Sequence, residues 1–350
     1  MSCETSLRVV RASEADLGVW QRFVDSTPAA SCMHHAGWFH ILRDAYRVDP
    51  LFLLAIDDDG TVCGVLPTYF SRSFLTGPHL STLEDGILVS SQKATQALLS
   101  EAIALRDSLG AHYLQVRGGP TSAHSQKTVC YLHTLISTAR PADQLWQAVK
   151  RKTRWGIRQA EKQGVSVELD PALDRLDAFY AVYAAHMRDL GTPVMGTRTF
   201  KAMREFLGPE RLRLYLLSLG HRLIGGMLCI INSDRWTDYY AVARHADEAE
   251  FANYLLYWHV IRDAAAHRVP VLDLGRSAPE SNLHLFKRKW GGQDIQVPYQ
   301  FYLRQGAPQR DLGLQEMKQA KSLPQQAWSH LPLIVTNHLG PLLRRQLPFI

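Results

Sequence analysis

No stretch of the 350-residue chain comes near the roughly 18 to 20 uninterrupted apolar residues that a helix needs to cross a bilayer. The first residues also lack a basic start, an apolar run and a small-residue cleavage site, so a cytoplasmic location is expected. Cysteine is sparse. Cys3, Cys32, Cys63, Cys130 and Cys229 are scattered, with no CxxC pair and no Cys/His cluster at metal-ligand spacing. A disulfide framework and a zinc site are therefore not expected. His34-His35 has no further ligands at useful spacing, so no metal is assigned. No nucleophile motif occurs, no long charged heptad stretch, and no Gln/Arg-x-x-Gly-x-Gly/Ala loop for a pyrophosphate.

What the chain does have is a globular composition, 46% hydrophobic and 21% charged, and length enough for two domains. Its net charge of +6 and pI near 9.1 suit an anionic partner such as a nucleotide-linked precursor, coenzyme A, tRNA or a membrane surface. The charge is uneven. Lys150, Arg151, Lys152, Arg154, Arg158 and Lys162 stand against the single acid Glu161, at helical spacing interrupted only by Gly156. This segment reads as a docked connecting helix. Its charges make either a solvated face or, with Trp155 among them, a surface on which a base or sugar can stack.

Two halves repeat one order of elements. From Leu51 the chain reads LFLLAI, the turn Asp57-Asp58-Asp59-Gly60, then VCGVLPTYF, the pattern of a β-hairpin. From Arg213 it reads RLYLLSL, Gly220-His221-Arg222, then LIGGMLCII, with Gly225 and Gly226 where the first copy has Gly64. Each hairpin is followed by a helix-like stretch (Thr95 to Leu109; Ala252 to His267) and a short apolar strand (HYLQVRGG; VPVLDLGRS). The copies are offset by roughly 160 residues, which indicates a duplicated domain. Tyr254, Leu255, Trp258, Ile261 and Ala265 share one helix face and predict core. The expected class is α/β with an α+β mixed sheet. Expected domains are 1–145, 146–305 carrying the main site, and a tail, 306–350, with Trp328 and an apolar stretch broken by Pro332, Gly340 and Pro341 that packs on the core.

The densest chemistry lies in Asp273-Leu274-Gly275-Arg276-Ser277 and Leu285-Phe286-Lys287-Arg288-Lys289-Trp290-Gly291-Gly292. A buried strand, Val271 to Leu274, is expected to end at the glycine and present Arg276, Ser277 and then Lys287 at its C-terminal edge, where α/β proteins place ligands. A lysine there can neutralise an oxyanion or phosphate, and an arginine can grip a carboxylate or phosphate. The alternative is a basic surface turn. Tyr239 and Tyr240 sit on a strand whose alternation sends one of them inward. Asp189, or Glu84 with Asp85, could serve as general base or simply as turn carboxylates. His284 reads as a loop histidine.

The run from Tyr239 to Gly292, with its tyrosine-rich strand, Asn-Tyr helix start, Asp-x-Gly-Arg strand end and Phe-Lys followed by an aromatic and glycine, resembles the C-terminal signature of FemAB-like proteins. RDLGTPV (188–194), Tyr299-Gln300, the tail WSHLPLIVTNHLGPLLRRQL, Trp38 in HHAGWFHILRDAYR and LPTYFSRS resemble the subgroup encoded with exosortase and PEP-CTERM exopolysaccharide systems. The resemblance implies two tandem Gcn5-related N-acetyltransferase-like domains, the second FemAB/BioF2-like. It implies acyl or aminoacyl transfer to an amine or hydroxyl of a cell-envelope or exopolysaccharide precursor. Alternatives are an acyl-CoA- or acyl-carrier-dependent N-acyltransferase and a non-catalytic subunit of a polysaccharide assembly system. Carried over by motif, Lys287 would stabilise the acyl-transfer intermediate, with Arg276 held by Asp273. Tyr240, Asn253, Ser277, Phe286, Trp290, Arg188 and Thr192 would bind substrate. No tightly bound cofactor is implied, and the donor is open between acyl-CoA and aminoacyl-tRNA. The partners implied are an anionic donor and a glycan or peptidoglycan-like acceptor, with tRNA and peripheral membrane contact left open and DNA not expected.

Overall fold

The computed structural model describes residues 7–120, 122, 124–232, 234–244, 249–308 and 323–347. Cys3, residues 245–248 of the FemAB-like run, and residues 309–322 and 348–350 of the tail lie outside the described residues. In chain order the first half forms β1 (Leu7–Arg11), α1 (Leu17–Ser26), α2 (Trp38–His40), β2 (Asp49–Pro50), β3 (Leu53–Asp57), β4 (Val62–Leu66), β5 (Thr68–Ser73), β6 (Gly77–Thr82), β7 (Leu88–Val89), α3 (Gln92–Ser108) and β8 (Tyr113–Arg117). Then come β9 (Lys127–Ser137), α4 (Ala142–Ala148), α5 (Arg151–Lys162), β10 (Val165–Asp170), α6 (Leu176–Asp189) and α7 (Thr197–Leu207). The chain continues with β11 (Leu212–Leu219), β12 (Arg222–Ile231), β13 (Arg235–Ala243), α8 (Ala252–Ala266), β14 (Val271–Ser277) and α9 (Asn282–Lys287). It closes with β15 (Gln293–Leu303), α10 (Leu323–Ser329) and α11 (Leu333–Arg344).

The chain divides into two compact units. The first comprises the described residues of Met1–Cys130, Val297–Gln315 and Leu342–Ile350, the second those of Tyr131–Gln296 and Glu316–Pro341. The division thus falls at 130/131 and returns at 296/297, where a cut at 145/146 was expected from the repeat, because the ends of β9 and β15 pair with strands distant in sequence.

In the first unit β1, β3, β4 and β7 form one sheet, and the Val297–Leu303 end of β15 lines up with β8, β6, β5 and β2 in another. The hairpin read from Leu51 is present: β3 and β4 pair antiparallel, and the turn closes on Asp57, whose Oδ1 accepts from the Asp59 and Thr61 amides at 3.1 and 2.8 Å. VCGVLPTYF is not one strand, however. It breaks at Pro67, which has no N–H to give a ladder, and the chain changes sheets there. Gly64 lets the hairpin approach its neighbour, since a Cβ would sit 2.7 Å from Val89 Cγ1.

In the second unit the order is β10-β11-β12-β13-β14 followed by the Tyr131–Ser137 end of β9. The β11–β12 hairpin keeps both strands whole, with one bulge at Ile224, and Gly225 and Gly226 admit the backbones on either side: a Cβ on either would stand 2.3 Å from a carbonyl oxygen, of Val242 or Tyr215. Helix α8 buries Leu255, Trp258 and Ile261 as expected, and Leu256, Tyr257, Val260 and Ala264 as well. It is enclosed on more sides than a one-face stripe implies because α4, α5 and α9 also lean on it. Helix α5 packs through Thr153, Gly156, Ile157 and Ala160; a Cβ on Gly156 would meet Tyr254 at 2.8 Å, so the glycine sets how closely α5 can approach α8. Within this unit the tail helices reach the Arg188–Val194 turn, where Gly191 (φ +75°) and Gly340 are held against Gln325 and Val194.

Candidate active site

Strands β13 and β14 are the parallel pair of the second unit, and they pair only through Arg235–Val271, Trp236–Leu272 and Thr237–Asp273. Beyond that point β14 pairs on its other side with β9, through Arg276–His133 and Ser277–Leu132. A parallel pair that parts leaves backbone groups without their ladder, and these must find other partners. Lys287, at the end of α9, supplies them: its Nζ donates to the carbonyls of Gly275 at 2.8 Å and Arg276 at 2.9 Å, and the side chain is only 3% exposed. The strand does not end at Gly275. It bulges there, with Gly275 at φ +72°, and runs on to Ser277. Lys287 is therefore anchored inside the opening instead of standing on a surface edge.

Facing this ammonium is a carboxyl that the motifs did not single out, Asp238, the first residue of β13 beyond the paired segment. Burial pushes its pKa up to about 6, although the Lys287 charge and a 2.7 Å hydrogen bond from the Tyr257 hydroxyl pull it back down. The only sign of it in the sequence is an acid wedged between Thr237 and Tyr239 in a strand of β-formers. The same strand carries a bulge: Cys229 opposes Asp238 and Leu228 opposes Tyr240, so Tyr239 is the extra residue. Alternation fails here, and Tyr239 and Tyr240 are both half-buried where one was expected inside.

Asp273 does not hold Arg276. Its Oδ1 accepts from the Gly275 amide at 2.8 Å, its Oδ2 from His133 Nδ1 at 2.9 Å, and Arg235 lies 3.8 Å away. Burial acts to raise this carboxyl, but His133, the Gly275 amide and Arg235 together hold it below the usual range. It is 1% exposed and serves to brace the bulge. The Arg276 guanidinium instead lies over the Tyr131 ring, 4.8 Å from its centroid. Ser277 is buried and reaches the Leu132 carbonyl at 3.4 Å.

The expected aromatic lining divides. Trp290 is core, stacked on Tyr257 with centroids 5.9 Å apart, and Phe286 packs between Tyr254 and Tyr257 at 5.6 and 5.0 Å. Tyr240 turns to the helices α6 and α7, against Tyr183 and Phe200 at 5.0 and 5.2 Å, with its hydroxyl on Met195. Asn253 is in the first turn of α8, half-buried, and meets no hydrogen-bond partner among the described residues.

Arg188 and Thr192 belong to a different place, the C-terminal turn of α6. Arg188 and Arg244 clasp Asp189 at 2.6 and 3.0 Å beside a cavity of about 440 Å³ lined also by His186, Arg222 and Leu190. Burial acts to raise the Asp189 carboxyl, but the two arginines outweigh it and hold it low, which makes it a poor base. Glu84 accepts from the Tyr299 hydroxyl at 2.5 Å, and Asp85 sits beside it at φ +60°, both in the first unit. His284 is not in a loop: it is buried in α9, accepts from the Glu280 amide at 3.0 Å and donates to Asp294 at 2.9 Å.

Residues 147–288, which contain Asp238, Asp273 and Lys287, match the acetyltransferase (GNAT) domain family. Among solved structures the chain is similar to FemX at 14% identity and TM-score 0.63, covering 85% of this chain and 97% of that one. It is also similar to the C-terminal domain of a putative lysylphosphatidylglycerol synthetase from Agrobacterium fabrum, at 9% identity and TM-score 0.58, covering 84% and 93%. A tandem GNAT protein from the clavulanic acid biosynthesis pathway aligns at 14% identity and TM-score 0.54, over 87% and 100%. No curated protein matches the chain. The fold is thus mixed α/β with GNAT-like domains.

Proposed function

We propose that the chain is an acyltransferase that moves an acyl or aminoacyl group onto an amine or hydroxyl of a cell-envelope or exopolysaccharide precursor, with the second unit holding the reaction centre. The observation that carries the reading is that Asp238, pushed up to about 6 by burial, feels the charge of the Lys287 ammonium where β13 and β14 part. A carboxyl poised just below neutral pH is mostly ionised there and still basic enough to take a proton from an attacking nucleophile. The acceptor N–H or O–H gives its proton to Asp238 as the new bond to the acyl carbon forms. The carbonyl oxygen becomes an oxyanion, which the Lys287 ammonium stabilises electrostatically. Collapse expels the donor's thiolate or alkoxide, which takes up the proton held by Asp238 as it leaves and returns the carboxylate to its ionised form.

Arg276, on the same strand end, is assigned to the anionic part of the donor, and Ser277 and Asn253 to its placement. The similarity to the putative lysylphosphatidylglycerol synthetase domain supports an aminoacyl donor, the RDLGTPV motif and the tail WSHLPLIVTNHLGPLLRRQL support the exosortase/PEP-CTERM setting, and a cytoplasmic location belongs to the same proposal. The test is a thermal-shift panel at fixed salt with coenzyme A, acyl-CoAs, aminoacyl-tRNA and UDP-linked sugars, followed by transfer assays with any donor that binds. Stabilisation by one donor class, lost with Lys287→Ala plus Arg276→Ala, and turnover lost with Asp238→Asn support the reading. Turnover that survives Asp238→Asn overturns the assignment of the base. No shift and no turnover with any donor favours a non-catalytic assembly subunit.

A further inference from the structure

Within the first unit, beside the edge strand β2, lies a small cavity that the proposed reaction does not use. It measures about 100 Å³ and opens where three separate stretches of chain meet, Arg47–Asp49, Phe70–Arg72 and Arg345–Gln346. Strands β2 and β5 set the first two side by side, with Asp49 opposite Phe70. The third is pinned by Gln346, whose carbonyl accepts from the Ser73 hydroxyl at 2.6 Å and whose side chain accepts from the Phe74 amide at 3.0 Å. Three arginines thus line one hole with a single carboxylate. Arg72 takes that carboxylate, Asp49, at 2.8 Å and lies over the Phe70 ring at 5.0 Å. Arg47 and Arg345 meet no carboxylate among the described residues. The backbone at Arg47 is unusual as well. A π-helical turn, Ile41–Tyr46, ends there with Arg47 at φ 55° and ψ 44° and its amide on the Leu42 carbonyl. Such turns are rare and gather at functional sites, and a left-handed residue at a helix end is usually glycine or asparagine. Keeping an arginine in that conformation costs free energy that the fold does not need to spend.

We infer that this cavity is a binding site for the dianionic phosphate group of a phosphomonoester. Once Asp49 is matched by Arg72, two cations remain, and they balance the roughly −1.5 to −2 charge of a phosphomonoester near pH 7. Guanidinium forks give paired N–H bonds to phosphate oxygens, and the Ser71 hydroxyl, on a residue 5% exposed, adds a further donor to the wall. Size points the same way. A water takes about 30 Å³ of liquid, so the cavity holds a group the bulk of about three waters, one tetrahedral phosphate, and leaves the rest of the ligand outside. A carboxylate carries about half the charge, and a phosphodiester carries one charge with substituents on two sides, so both suit it less. The lining residues all belong to the first unit, and the inference stands apart from the acyl-transfer reading, in which Arg276 of the second unit takes the anionic part of the donor. A phosphomonoester can come from a soluble sugar phosphate or from a lipid head group, and the two are told apart by experiment.

The test is isothermal titration calorimetry of the full chain with glucose 1-phosphate, and with dimethyl phosphate as the diester control, at an ionic strength held constant with chloride. Vesicles containing phosphatidic acid, a lipid phosphomonoester, are compared by co-sedimentation with vesicles containing phosphatidylglycerol, a diester. Saturable binding of a monoester at one site per chain is expected, tighter than that of the matching diester. Arg47→Asn suits the left-handed backbone while removing the cation, so this variant should fold normally by far-UV circular dichroism and melt no lower than the wild type without ligand. Arg47→Asn and Arg345→Gln should each weaken monoester binding about 10- to 100-fold, the loss of a charge-assisted contact. Lys287→Ala should bind the monoester as the wild type does, so this site and the acyl-transfer site fail separately. Tighter binding of phosphatidic acid vesicles than of glucose 1-phosphate supports the site with a lipid as its source, and the reverse supports it with a soluble phosphate. Unchanged affinity in the Arg47→Asn, Arg345→Gln double variant overturns the inference. So does diester binding as tight as that of the monoester, or no saturable binding of either monoester.

Discussion

Among the described residues each unit shows one parallel strand pair reached through a helix, and the two pairs are finished differently. In the first unit β6 and β8 pair from His79–Tyr113 to Ser81–Gln115, and the ends beyond are closed by their own side chains. Thr82 Oγ1 accepts from the Arg117 amide at 3.0 Å, and the Arg117 guanidinium, 1% exposed, donates to Gln115 and Tyr69 and lies over the Tyr299 ring. In the second unit β13 and β14 part with no such closure among the described residues, and Lys287 enters from α9 opposite Asp238. The lesson is that one arrangement of elements can serve as packing or as a reaction centre. What decides is whether the gap between the strands is filled by residues of fixed charge state or by a carboxyl pushed up to about 6 beside a buried ammonium.

The comparison breaks most sharply at Asp238. Asp238→Asn should reduce transfer by about 10²- to 10⁴-fold and remove the acidic limb near pH 6 from the rate profile. Its effect on stability has the opposite sign. The folded-state pKa is raised above the unfolded one, so the wild type loses stability as pH rises from about 4 through about 6. A shift of that size corresponds to ~3 kcal/mol. The asparagine variant should therefore melt higher than the wild type at pH 7.5 and alike at pH 4.

Lys287→Ala should lower transfer by about 10²- to 10³-fold. It should also destabilise by about 1–3 kcal/mol, because the Gly275 and Arg276 carbonyls lose a buried donor. Single-turnover rates and urea denaturation measure the two effects separately. The first unit should respond to acid through His79, whose burial lowers its pKa to about 4. A depressed histidine contributes stability above the unfolded value near 6.5 that is lost as pH falls through about 4, on the order of ~3 kcal/mol. His79→Gln should flatten that acid limb in urea midpoints measured from pH 7 to 4, with no change in transfer per folded molecule. The smallest effect is expected from Gly275→Ala, which strains a backbone at φ +72° and sets a Cβ 2.9 Å from the Asp238 carbonyl oxygen. A cost of about 2 kcal/mol with transfer reduced would tie the bulge to the site, and unchanged melting would separate them.

Local pattern made a good part of this legible. The two hairpins, α3 and α8, and the strands β8 and β14 follow from periodicity, turn glycines and β-branched runs, which act over a few residues. Pro67 and the bulges at Tyr239 and Gly275 are where the pattern misled, since each inserts a local exception into an otherwise regular strand. Within the site, the Phe-Lys and Asp-x-Gly-Arg motifs pointed to Lys287, Arg276 and Asp273 but not to what each touches.

The amino-acid sequence alone determined the order of elements, the duplicated plan and the excess of positive charge, because these depend on neighbours along the chain. Only the tertiary structure decided that Asp238 titrates near 6, that Asp273 braces a bulge with His133 from 140 positions away, and that Trp290 is core. Proton affinity and burial are set by which distant groups share a low-dielectric space, and that is fixed only when the sheet assembles.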